Sequence, residues 1–347
     1  MSTTRQSNFE ILRILAILMV ITGHFIRQSG LLESEVGING FVNIILGSAG
    51  RIAVNVFLLI GAWFMVDMRF KPSKALLLYL QTAFYSIPIT LLMLALGTAG
   101  ETRNIIQGIL PFFGRPVWFS SAYISLILLT PFLNEVFILP KKKLTLLTIA
   151  LFIFFCVVST IPTFSTVDYI ADFSWFCVIY ITIGWVKHTD VLSKLKINKW
   201  VALISGIAVY SALCMSAATK PLSRIANYWL DNIRTMPNLL CAFTIFFFFL
   251  KTDIGRIRLV NYFAKSVFAV YIVHQIPAFR LFLWKNICHA NKLIGFDPCL
   301  YTLSIIGIAI SILIAVTLLD QLRIFIFHKI EKRIEKVFSH ESSLCLR

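Results

Sequence analysis

Arg13 and His24 stand eleven residues apart within one apolar run, Asn8 to Phe25, NFEILRILAILMVITGHF. At about 100° per residue the two side chains leave the same face of a helix, about 16 Å apart along its axis. A guanidinium is permanently charged, and its planar fork of donors suits phosphate or carboxylate. An imidazole can accept a proton near neutral pH and serve as a general base. Neither belongs in hydrocarbon unless it faces a partner, a cavity or a reaction. Glu10, three residues before Arg13, shares that face and can hold the guanidinium in place. In a plainer reading His24 bonds a neighbouring helix and Arg13 snorkels to the interface. That accounts for each residue alone, whereas the three on one face favour chemistry.

Other candidates follow along the chain. Arg51 and Asn55, four residues apart in GRIAVNVFLLIGAWFM, share a face at the depth of His24 and could bind an oxyanion or sugar hydroxyls, or could simply join helices. Gly47, Gly50 and Gly61 in that run read as packing positions. In DMRFKPSK the cations Arg69, Lys71 and Lys74 flank a helix start at Pro72, which suits either a topology anchor or a phosphate site. Trp118 reads as an interface aromatic and Tyr123 as a cavity-lining residue one level deeper.

Tyr271 and His274, three apart in SVFAVYIVHQIPAF, share a face, and Pro277 cannot donate to the Val273 carbonyl. A span broken in this way usually borders a lined cavity; a kinked helix with a structural histidine is the plainer reading. Metal chemistry has little support. His188, His289, His328 and His340 fall in loops or the tail, and the seven cysteines form no CxxC. Cys288 and Cys299 could bracket a loop and pair, although small buried hydrophobes are the commoner use of such residues. GxSxG elbows and glycine-rich phosphate loops are missing.

The elements that must position these groups are membrane helices. The 347 residues are 58% hydrophobic and 14% charged, and 31 Phe against 16 Asp and Glu leave too little polar surface for a water-soluble globule. An all-α polytopic membrane protein is predicted, with ten spans near 9–27, 45–66, 75–97, 118–138, 144–161, 174–186, 200–218, 236–250, 266–284 and 299–320. The net charge of +16 would suggest nucleic acid in a soluble chain. Here the basic residues sit in short clusters between apolar runs, so no nucleic-acid partner is expected.

Most of those cations, among them Arg5, Lys141 to Lys143, Lys187 to Lys199, Lys251 to Lys265 and Arg323 to Arg347, fall on the side of the N-terminus. Arg27, Arg103, Arg115, Lys220, Arg224, Arg234, Lys285 and Lys292 fall on the other. This asymmetry predicts both termini in the cytoplasm. One membrane domain over 1–330 is expected, followed by a basic cytoplasmic tail, 331–347, with Arg323 to Lys336 as an amphipathic surface helix. The first run is too long and too polar for a cleavable signal peptide.

Taken together, Glu10-x-x-Arg13 with ten residues to His24, RIAVNVFLLIGAWF, WFSSAYISLILLTPFL and SVFAVYIVHQ resemble acyltransferase family 3, the bacterial integral-membrane O-acyltransferases of polysaccharide O-acetyltransferase type. The resemblance runs from about residue 7 to 330. It implies transfer of an acyl group, acetyl in the first instance, from cytoplasmic acyl-CoA to a hydroxyl of an extracytoplasmic or lipid-linked glycan. It also implies a bacterial inner-membrane location and an essential pair at Arg13 and His24. The family's basic motif after the second span is matched loosely by Arg69-x-Lys71 or Lys74. Arg13, Arg69, Lys71 and Lys74 are then expected to hold the anionic end of acyl-CoA. His24 is expected to activate the acceptor or carry the acyl group, and Arg51, Asn55, Tyr123, Tyr271 and His274 to meet the acceptor. Two rivals are a proton-coupled transporter or flippase, and a lipid-linked-sugar glycosyltransferase with a metal at Glu33 and Glu35.

Overall fold

The computed structural model describes residues 7–113, 117–163, 171–194, 196–219 and 222–344. Arg5, Arg115, Lys220, Cys345 and Arg347 lie outside the described residues. Among the described residues the regular structure is helical throughout. The longer helices are α1 (Ser7–Ser29), α2 (Gly37–Met65), α3 (Pro72–Ala95), α4 (Thr102–Ile109), α5 (Trp118–Glu135), α6 (Lys141–Phe152) and α7 (Ala171–Thr189). They continue with α8 (Lys199–Ala218), α9 (Ser223–Asp231), α10 (Met236–Leu250), α11 (Arg258–Ala264), α12 (Val267–Gln275), α13 (Pro277–Phe282) and α14 (Pro298–Leu344).

Among the described residues seven helical segments are long and apolar enough to cross a membrane, and two bent pairs raise the number to nine. The chain is an all-α polytopic membrane protein. The bent pairs are Ser223–Asp231 with Met236–Leu250, at 50°, and Arg258–Gln275 with Pro277–Ile287, at 77°. The sixth expected span, 174–186, corresponds to α7, which does not reach the same measure. Asp172, Lys187 and His188 near its ends lower its mean hydropathy, yet Trp175, Phe176 and Tyr180 within it are fully buried.

α1 is the hub. It packs on α2, α10, α11, α12 and α14 and buries Phe9, Leu12, Ala16, Ile17, Val20, Ile21, Phe25 and Ile26 on the faces turned to those partners. Its first turn is tied to the α10–α11 connection, because Asn8 Nδ2 donates to the Phe249 carbonyl at 2.8 Å and the Ser7 amide to that of Gly255 at 3.3 Å. α2 runs back beside α1 at unusually close range. A Cβ added at Gly23 would lie 3.1 Å from the Gly47 carbonyl oxygen and 3.2 Å from the Gly50 Cα. The glycines do therefore serve packing, and that packing also sets Arg51, next to Gly50, beside His24, next to Gly23.

The bend between α12 and α13 follows from Pro277, which sits at the first position of α13 with Ile276 extended before it. The C-terminal region differs from expectation. α14 is one continuous helix of 47 residues, so Arg323 to Lys336 prolongs the last apolar segment instead of forming a separate surface helix. Arg323 is 6% exposed and paired with Asp320 one turn earlier, as its burial requires. Cys288 and Cys299 are both free thiols.

Candidate active site

Seven residues of α1, Glu10, Arg13, Val20, Gly23, His24, Arg27 and Gln28, line one cavity of about 830 Å³. Their spacing is that of a single helical stripe, which is why one element presents both ends of the site. α2 contributes Arg51 and Gly61, α3 Leu78, α4 and the residue before it Glu101, Arg103, Asn104 and Gln107, α5 Trp118, Phe119 and Tyr123, and the bent pair Lys265, Tyr271, Gln275 and Arg280. The volume falls in the range of sites that enclose a small ligand or part of a larger one.

The end nearer the N-terminus holds Arg13. Its Nη1 donates to Glu10 Oε1 at 2.7 Å, and the guanidinium carbon lies 5.7 Å from the centre of the Phe64 ring. Glu10 is buried and Arg13 half-buried, so the carboxylate anchors the cation from behind while the cation lines the cavity. Lys265 lines the cavity too. Arg69, Lys71 and Lys74 do not line the cavity. Leu78, one turn after Lys74 on α3, is a lining residue.

At the other end His24 Nδ1 lies 3.0 Å from His274 Nε2, and His274 Nδ1 lies 2.6 Å from the Val270 carbonyl oxygen. A carbonyl only accepts, so His274 Nδ1 must donate to it. With both rings neutral, His274 Nε2 accepts from His24 Nδ1–H, and the lone pair of His24 stays on Nε2. His274 is fully buried and does not line the cavity, so it stands behind His24 and orients it. The acceptor used by the imidazole is the Val270 carbonyl, one turn before it, and not that of Val273, which the proline was expected to release.

Asn55 is likewise not brought to the cavity. Its Nδ2 donates to the Ile233 carbonyl at 2.6 Å and to Asn238 Oδ1 at 3.1 Å, and its Oδ1 accepts from Trp175 Nε1 at 2.8 Å. Those bonds join α2 to α7 and α10, as interhelical amides do in bundles. Tyr123 and Tyr271 do line the cavity, each in ring contact with Phe119, with ring centres 5.9 and 5.6 Å from it. Gly61 makes room for the first of them, because a Cβ there would come within 2.8 Å of the Tyr123 hydroxyl oxygen.

The sequence reading missed several lining residues around His24. Arg27 donates to the Gly47 carbonyl at 2.9 Å and pairs with Asp231, and Gln28, Gln275 and Trp284 share hydrogen bonds of 2.9 to 3.2 Å. Arg27 and Gln28 were within reach of the helical spacing from His24, three and four residues on. Arg103 and Arg280 carried no such signal. Glu33 and Glu35 hold no metal cluster: among the described residues no group of three His, Cys, Asp or Glu side chains comes together, and Glu35 accepts from Asn39 Nδ2 and the Gly295 amide.

An arrangement of this kind can hold an anion at one end and draw a proton from a hydroxyl at the other. A family model described as an acyltransferase domain matches residues 6–319. No curated protein and no solved structure matches the chain.

Proposed function

The chain belongs to acyltransferase family 3, and from that premise we propose that it moves an acyl group, acetyl in the first instance, from acyl-CoA to a hydroxyl of a glycan or lipid-linked sugar across a bacterial inner membrane. The observation that carries this reading is that Arg13 and His24, about 16 Å apart along one helix, line the same cavity. That separation is comparable to the pantetheine arm of CoA.

In this reading acyl-CoA approaches from the cytoplasm. Its nucleotide phosphates are too charged to enter the bilayer, so they stay with Arg13, Lys265 and the cations Arg69, Lys71 and Lys74 around the start of α3, while the arm reaches up the cavity. Glu10 keeps Arg13 in one rotamer. The thioester then arrives beside His24, where the acceptor hydroxyl enters from the opposite side of the membrane. Arg51, Tyr123 and Tyr271 line the space in which the two reactants meet.

His24 Nε2 takes the hydroxyl proton as the oxygen attacks the thioester carbonyl carbon. The C–S bond breaks, the proton passes to the departing CoA sulfur, and an ester and free CoA result. The developing imidazolium can keep donating through Nδ1 to His274, whose own Nδ1–H stays on the Val270 carbonyl. Cationic Arg51 stands near the position of the tetrahedral oxyanion, where a fixed positive charge acts most strongly.

The test uses membrane vesicles of both orientations that contain the full chain. Labelled acetyl-CoA added on the cytoplasmic face is expected to acylate acceptor held on the other face, and His24→Ala to abolish the transfer. Full transfer by His24→Ala, or uptake of a glycan with no acyl-CoA present, would overturn the reading, the latter in favour of a transporter.

A further inference from the structure

Between its two polar ends the cavity has an apolar middle. Among the described residues, Val20 alone lines it between Arg13 and Gly23 on α1, and Val54, Phe57 and Ile60 line it between Arg51 and Gly61 on α2. α5 adds rings to this middle. Phe119 meets Phe57 of α2 with ring centres 6.2 Å apart and Tyr271 of α12 at 5.6 Å, and it stacks on Tyr123 at 5.9 Å with the ring planes 9° apart. Rings from three helices are thus in mutual contact along the cavity, in the offset and edge-on arrangements that aromatic side chains prefer.

Tyr123 marks the Arg13 end of that group. Its ring rests on Gly61, which lies about 15 Å along α2 from Arg51. Phe64, less than a turn beyond Gly61, has its ring centre 5.7 Å from the Arg13 guanidinium carbon. A Cβ at Gly61 would lie 2.8 Å from the Tyr123 hydroxyl oxygen and 3.0 Å from its Cε2, closer than packed atoms come, so the ring has no slack toward α2. Phe119 is stacked on it as well. The direction left to the ring is the cavity that it lines, and a side chain at Gly61 would drive it there. Whatever travels from Arg13 to His24 passes this ring.

In CoA the arm next to the sulfur is an unbranched chain, and the acyl group travels ahead of it. The acyl group must therefore clear Tyr123 before the thioester reaches His24. We propose, as a deepening of the acyltransferase reading on which it rests, that Gly61 and Tyr123 form the throat of the donor path and select unbranched acyl groups over branched ones. The throat stands where the donor enters the space in which the reactants meet. Selection is by clash, which separates groups of equal size and charge that differ in shape. Gly61 keeps the passage open by letting the ring lie back against α2.

The experiment compares butyryl-CoA with isobutyryl-CoA in membranes containing the full chain, with acetyl-CoA as the reference donor. The two butyryl isomers have the same atoms and charge and differ in width beside the thioester. The unbranched donor is expected to have the higher kcat/KM by about tenfold or more, the scale on which one methyl group is discriminated. Tyr123→Leu should cut that preference to about threefold or less, since the ring that imposes it is gone. Gly61→Ala should lower kcat/KM for the best donor about tenfold, and adding Tyr123→Leu should recover most of the loss, because the leucine no longer meets the added carbon. Equal use of the two isomers by the unaltered chain, an unchanged preference in Tyr123→Leu, a Gly61→Ala chain that loses nothing, or a loss that the second substitution leaves in place each overturns the throat while acyl transfer stands. If the unaltered chain takes acetyl-CoA alone, Tyr123→Leu must admit butyryl-CoA, and a variant still confined to acetyl-CoA overturns the throat as well. No transfer from any of the three donors overturns both readings.

Discussion

Two of the ionic clusters among the described helices have opposite characters. In the first, Asp320 and Arg323 of α14 meet Tyr85 of α3. The carboxylate accepts from Arg323 Nε at 2.6 Å, from Arg323 Nη2 at 3.3 Å and from the Tyr85 hydroxyl at 2.5 Å. Asp320 is fully buried, Arg323 lies over Phe327, and none of these residues lines the cavity. In the second, Glu10 anchors Arg13 through one 2.7 Å contact, and Arg13 and His24 line the large cavity. The first cluster is closed, and its charges answer one another. The second is open on one side, which is where a ligand can complete it. A charge in an apolar span is therefore no evidence of chemistry until its surroundings show whether a partner is already present.

The contrast can be broken by substitution. The largest effect is expected at His24: His24→Ala should lower the acyl-transfer rate about 10²–10⁴-fold, the usual contribution of a general base, with no shift in the thermal unfolding midpoint. A parallel loss of stability would place His24 with the closed cluster.

Asp320→Ala should do the reverse. It leaves the Arg323 charge buried, and such a loss costs about 3–5 kcal/mol of stability. Denaturation of the purified protein in detergent would measure it. Asp320→Leu, Arg323→Leu and Tyr85→Phe together should restore the stability and keep the specific activity of folded protein unchanged. If the triple variant is folded and inactive, the cluster is not merely structural.

His274→Leu removes the acceptor that orients His24. About a 10²-fold fall in kcat at unchanged KM is expected, the scale of a 1 Å misplacement of a reacting group. His274→Gln, whose amide can accept from His24, should retain more activity. An effect confined to KM would instead make His274 a substrate contact.

The smallest effect belongs to Glu10→Gln. It frees Arg13 to change rotamer and should raise the acyl-CoA KM by no more than about fivefold, because a partly exposed ion pair contributes roughly 0.2–1 kcal/mol. An unchanged KM would show that the rotamer of Arg13 does not depend on the carboxylate.

Arg13, Glu10 and His24 were legible in the sequence because they are local: one helix, one face, and a spacing that chain geometry alone converts into a distance. Arg51, Tyr123 and Tyr271 were legible as polar groups at a suitable depth. For Asn55 and His274 the sequence offered the same depth and polarity, yet their hydrogen bonds are made to other helices, and a partner 178 or 250 residues away leaves no trace in local spacing. Arg323 was read only as part of a basic surface helix, and Asp320 was not singled out, for the mirror-image reason, since a charge near a span end reads as an anchor whether or not it is buried.

The sequence by itself determined that the chain is a bundle of membrane helices and that its first helix carries a cation and an imidazole on one stripe. Hydropathy and the 3.6-residue period are properties of short segments and need no tertiary information. Only the folded chain decided that one cavity joins the two groups, that His274 stands behind His24, and that arginines from four helices line that same cavity. Those facts depend on which helices touch. That choice was made by glycine contacts and a proline bend acting between segments far apart along the chain.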